Sequence, residues 1–165
     1  MNIGKKLILF NICAVLFPSM LQAAPVRITS YTQLVDALKN GHRVNSVTEL
    51  KKCQLAGDSN SKLMSEDEHD SIGMSFNQGF FLISKLKNES QFGVAAIATN
   101  IIPKKNEGSV SRYKLIRVFE DNTVLMRAIL ADVATTKTLG WSEYHCKISL
   151  GSDENAVSLF DYDVL

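Results

Sequence analysis

Charge of one sign, phosphate-binding glycine loops and long apolar runs are all missing from the body of this sequence. Lys and Arg number 18 against 17 Asp and Glu, a formal net charge of +1. So balanced a chain carries no electrostatic footprint for nucleic acid or for an anionic membrane surface. No glycine-rich phosphate loop or dinucleotide fingerprint occurs, and no cofactor is expected. No G-x-S-x-G elbow marks a hydrolase nucleophile. Beyond the N-terminus no apolar run approaches the roughly 20 residues that span a bilayer. Internal repeats and low-complexity tracts are absent too. What is present is a 165-residue chain, 45% hydrophobic, long enough for one domain with a real core.

The N-terminus breaks the pattern. "MNIGKKLILFNICAVLFPSMLQAAP" has positive charge at Lys5 and Lys6, an apolar stretch from Leu7 to Phe17 and a break at Pro18 and Ser19. Small residues close it. This is the plan of a secretory signal peptide, with cleavage expected after Ala23; a cut after Ala24 would leave Pro25 beside the scissile bond. The stretch is shorter than a membrane anchor needs, and "FNIC" around Cys13 lacks the small residues of a lipoprotein signal. The expected organisation is a signal peptide over 1–23 and a single domain over 24–165. The product would be periplasmic or secreted, with no integral span left after processing. It keeps two cysteines, Cys53 and Cys146. Exported thiols usually oxidise, so one intramolecular disulfide between them is expected.

"TSYTQLVDALKNG" is the clearest local signal. Ser30 can cap a helix, with Gln33 three residues on completing a capping box. Tyr31, Leu34, Val35 and Leu38 then share one face, and Gly41 can take the left-handed conformation that ends a helix. A short strand is expected before Cys53. Residues 54 to 70 are polar and weakly patterned and read as a loop. "SIGMSFNQGFFLISKL" holds two short apolar pieces, and "QFGVAAIATNII" reads as a strand stopped by Pro103. "RYKLIRVFEDNTVLMRAIL" is the strongest strand signal, two apolar runs joined by Glu120, Asp121 and Asn122 as a hairpin connection. Val124, Met126, Ala128 and Leu130 line one face of its second strand. Leu125 and Ile129 on the other face are apolar as well, which predicts a central strand. "KTLGWSEYHCKISL" and "AVSLFDYDVL" add strands. The fold expected is α+β: an N-terminal amphipathic helix packed on a curved, mainly antiparallel sheet of six to eight strands, curled or partly closed into a barrel.

Three groups of residues could carry chemistry. "WSEYHC" places Glu143, His145 and Cys146 within four positions. On a strand, Tyr144, Cys146 and Ile148 share one face, while Trp141, Glu143, His145 and Lys147 share the other. His145 then points away from the Cys146 sulfur and cannot serve as its base. A thiol enzyme would need His42 or His69 instead; a disulfide to Cys53 is the plainer alternative. "SEDEHD", Ser65 to Asp70, offers carboxylates and His69. It lacks the alternating acids and central glycine of an EF-hand, so a solvated acidic loop is the plainer reading, and no metal site is assigned. A Ser/His/Asp arrangement built from loops stays open. Arg112, Tyr113 and Trp141 are of the types favoured at interaction hot spots, against edge-of-core packing. No catalytic residue is assigned.

Taken in order, "YTQLVDALKNGHRV", a strand ending at Cys53, "SRYKLIRVFEDNTVLMRAIL" and a second cysteine in "EYHCKIS" resemble the VirK family of small exported bacterial proteins. The resemblance runs over nearly all of the mature chain. It implies an exported protein associated with host interaction, and it makes Cys53 and Cys146 framework positions. It supplies no catalytic or binding residue. Three functions are therefore carried forward. The first is a non-catalytic binding or accessory protein whose partner is a protein or small ligand. The others are a small periplasmic hydrolase using Ser, His and Asp, and a carrier of a small apolar ligand.

Overall fold

The computed structural model describes residues 24–58, 71–76, 82–85, 91–104 and 108–163. The elements in chain order are β1 (Val26–Ile28), α1 (Tyr31–Lys39), β2 (Val44–Glu49), a 3-10 turn (Leu50–Lys52), β3 (Gln54–Asp58), β4 (Ser71–Ser75) and β5 (Leu82–Ser84), followed by β6 (Gly93–Lys104), β7 (Gly108–Phe119), β8 (Thr123–Asp132), β9 (Thr138–Lys147) and β10 (Val157–Asp161). The strands form two sheets, one ordered β1-β10-β2-β4 and the other β3-β9-β8-β7-β6-β5. Every strand pairing is antiparallel. The fold is thus α+β and dominated by sheet. The expected single sheet, curled into a partly closed barrel, is not what the described residues form. Their strands divide between two sheets because β10 leaves the chain of hairpins and inserts between β1 and β2.

The helix forms as its sequence dictates. Ser30 is in extended conformation, and its hydroxyl accepts from the Gln33 N–H at 3.3 Å. The reciprocal half of the capping box is displaced by one residue: Gln33 Oε1 accepts from the Thr29 N–H at 2.7 Å. At the other end Gly41 has φ of +79°. The His42 N–H reaches the Ala37 carbonyl and the Gly41 N–H reaches that of Leu38, the paired bonds of a Schellman cap. Nine residues are too few for a helix stable by itself. Burial of Leu34, Val35, Ala37 and Leu38 stabilises it, by roughly 1.5–3 kcal/mol for each large side chain.

The core lies between the two sheets. Val44, Leu159 and Val157 contribute from the four-stranded sheet. Val94, Ile116, Val118, Val124, Met126 and Cys146 contribute from the six-stranded one, with Phe76 and Leu34 completing the same cluster. Val124, Met126, Ala128 and Leu130 all point inward, as their alternation predicts, and β8 is internal to its sheet, as the apolar Leu125 and Ile129 on its other face predict. Two expectations need correction. Residues 54–58 are an edge strand, not loop, held in register on β9; few apolar residues mark it because an edge buries little. The remainder of the expected loop lies outside the described residues. β6 also continues through Pro103 to Lys104. β5 pairs only with Gly93 to Ala95 of β6, so Pro103 lies where only β7 is bonded to β6, and a strand tolerates proline there.

Candidate functional site

Cys53 and Cys146 are joined in a disulfide, with Cα atoms 4.6 Å apart. The bond crosses from the start of β3 to the buried face of β9. His145, on the other face of β9, is exposed, so the alternation that turned it away from the sulfur holds. Hairpin pairing puts Glu143 directly opposite Arg127. Arg127 Nε donates to Glu143 Oε2 at 2.8 Å, and its Nη2 donates to the same oxygen. His145 Nε2 lies 3.7 Å from Glu143 Oε1. "WSEYHC" is thus split by the strand: its cysteine is taken up in the disulfide, and its Glu and His sit in a cross-strand charge row.

His42 meets an acid. Its Nδ1 lies 2.8 Å from Oδ2 of Asp161, which is buried at the end of β10. Beside them Arg43 Nε and Nη2 donate to Asp163. Hydrogen bonding to Arg43 holds the Asp163 carboxyl below its ordinary range and raises the guanidinium. These contacts fasten the C-terminal strand to the end of the helix. "SEDEHD", with His69, lies outside the described residues. Among the described residues no group of three or more His, Cys, Asp and Glu side chains could hold a metal ion.

Arg112 and Tyr113 are neighbours in the middle of β7, and they point to opposite sides. Tyr113 is 40% exposed on the outer face of the six-stranded sheet. Register pairs Tyr113 with Ile129, and Ile129 with Trp141. The next row pairs Leu115 with Arg127, and Arg127 with Glu143. Arg127, Ile129, Thr138 and Trp141 line a surface groove of about 310 Å³. Trp141 is seated by a glycine: a Cβ on Gly57 would come 2.7 Å from its ring. A bulge in β3 between Leu55 and Gly57 brings that backbone to the indole. A second groove, of about 670 Å³, opens at the other end of β9 near Lys52, Glu143, His145 and Lys147.

Sequence reasoning singled out Tyr113 and Trp141 but not the row joining them, nor Arg127 or Gly57. The β8–β9 register carried that information. Reading it would have required placing the turn at 133–137, whose Thr136 adopts φ of +58°. Such a φ is an outlier for a β-branched residue, so composition gives no hint of it.

The protein is a two-sheet α+β fold whose six-stranded sheet presents a mixed aromatic and charged outer face. It is similar to the crystal structure of a VirK family protein from Legionella pneumophila, with a TM-score of 0.58 over 82% of this chain and 98% of that one, at 16% identity. At that identity the likeness is one of fold. No protein-family profile matches the chain, and no curated protein matches it. Among the described residues no helix is long and apolar enough to cross a membrane.

Proposed function

We propose that this chain is an exported, non-catalytic binding or accessory protein associated with virulence, whose mature form begins at Ala24. The observation that carries the reading is the division of apolar surface. The space between the sheets is filled by Phe76, Leu34, Ile116 and Leu159, each fully buried, whereas Tyr113, Ile97 and Ile101 are left outside, the last 65% exposed. An exposed tyrosine beside branched chains on a rigid sheet is the kind of surface that suits a partner's contact. The fold likeness to a VirK family protein and the disulfide support export. The hydrolase is the second reading, carried by the His42–Asp161 pair.

Capture experiments with the mature chain test the proposal. A bound partner should be retained by the wild type and by Val47→Ala on the other sheet, and lost by Tyr113→Ala. Hydrolysis of a generic ester or peptide substrate that disappears in His42→Ala would overturn it in favour of the enzyme. N-terminal sequencing of exported material should begin at Ala24; a product still carrying Met1 refutes the processing.

A further inference from the structure

Taking the binding-protein reading as its basis, we propose that the outer face of the six-stranded sheet is a platform for an uncharged oligosaccharide. Tyr113 and Trp141 are its stacking rings, and Arg127 and Glu143 its hydroxyl-reading pair. Six residues compose it in two adjacent rows, Tyr113–Ile129–Trp141 and Leu115–Arg127–Glu143. Three strands supply both rows, so the backbones that carry the two rings lie two strand spacings apart, about 9–10 Å, and the indole leans from β9 toward Gly57 on β3. A rigid sheet fixes that separation.

The chemistry on the platform selects the ligand. The faces of aromatic rings are electron-rich, and the axial C–H face of a sugar ring is polarised to meet them. The equatorial edge of the same sugar carries hydroxyls that both donate and accept. Arg127 offers planar donors and Glu143 acceptors, and because they neutralise each other the site presents both with no net charge. A phosphate or carboxylate would meet Glu143 at once. A wholly apolar ligand would strip water from a paired guanidinium and carboxylate and return nothing for it. A neutral polyhydroxylated ligand satisfies both rows. The indole position is also specified by backbone: Gly57 and its bulge leave room for the ring where any Cβ would collide.

Trp141 is the only tryptophan in the chain, so its emission reports on the platform directly. The mature protein would be titrated with cellotriose, maltotriose and triacetylchitotriose, by fluorescence and calorimetry. At least one should produce a saturable change. Tyr113→Ala should weaken that binding about tenfold, the effect of one aromatic contact, and Arg127→Gln should weaken it as well. Gly57→Ala should shift the emission of the free protein and weaken binding, while Val47→Ala should leave binding unchanged. Absence of saturable binding for all three sugars in folded wild type overturns the inference, as does binding indifferent to both Tyr113→Ala and Arg127→Gln. If the sugars are silent while a protein partner is still captured through Tyr113, the carbohydrate inference fails and the binding reading stands.

Discussion

The two sheets of this protein are assembled from different kinds of neighbour. In the larger one β6, β7, β8 and β9 lie side by side in chain order, each separated from the next by only a few residues of sequence. In the smaller one no two bonded neighbours are consecutive: β1 lies on β10, β10 on β2, and β2 on β4. Hairpins close short loops, and the entropy they lose is small. The four-stranded sheet must wait for residues 157–161 to arrive between strands laid down more than a hundred residues earlier, a long-range pairing that is slow and costly to initiate. Specific contacts tie the chain around the smaller sheet to the larger one and to itself. The disulfide fastens the segment into which β2 leads to β9 of the larger sheet, Asn122 holds the helix to the β7–β8 turn, and the Arg43–Asp163 pair holds the C-terminal end.

Cutting the covalent tie should show the difference most strongly. The bridge closes a sequence separation of 93 residues, and its removal in the Cys53→Ser, Cys146→Ser double variant should lower stability by about 4 kcal/mol. Denaturant unfolding measures the loss. Amide exchange should show β2 and β10 opening before β7 and β8; equal exposure of both sheets would dissolve the distinction. Two alkylatable thiols in protein recovered from an oxidising compartment would sink the disulfide itself.

Asn122 is the next tie. Its side-chain Oδ1 accepts from the Tyr31 N–H at 2.7 Å, and its carbonyl accepts from the Ile148 N–H. Its φ of +65° suits asparagine better than alanine. Asn122→Ala should cost about 2 kcal/mol, roughly half from the lost bond and half from the backbone. Asn122→Gly should recover the backbone part only. If glycine restores full stability, the contact to the helix contributes nothing.

Ser30→Ala removes a single cap bond and should cost about 1 kcal/mol, read as a shift in denaturation midpoint. An unchanged midpoint would mean that Gln33, bonded to Thr29, carries the helix start without it.

The smallest effect expected is an acid one. The Asp163 carboxyl is held below its ordinary range by Arg43. A depressed carboxylate stabilises the fold above the ordinary carboxylate pKa, and that contribution disappears as pH falls through the lower folded value. Stability should therefore decline below about pH 4, and Asp163→Asn should flatten the decline. Asp132 and Asp153, also held low by hydrogen bonds from neighbouring backbone N–H groups, keep part of the slope. A variant with the wild-type pH profile would remove Asp163 from the account.

What the sequence by itself determined is local. The helix over 31–39, its cap at Ser30, its stop at Gly41, the β7–β8 hairpin and the inward face of β8 were all legible, because each depends on residues within about one turn or one hairpin of each other. The two-sided split of "WSEYHC" was legible for the same reason, since alternation along one strand needs no partner. Only the tertiary structure decided the division into two sheets, the insertion of β10, the edge strand at 54–58 and the rows of side chains on the outer face. Strand order is set by burial between elements far apart in the chain, and a polar edge strand leaves almost no apolar signature. Arg127 faces Glu143, and Gly57 receives Trp141, through registers between strands. Those registers are fixed by turns and a bulge whose backbone angles no periodicity records.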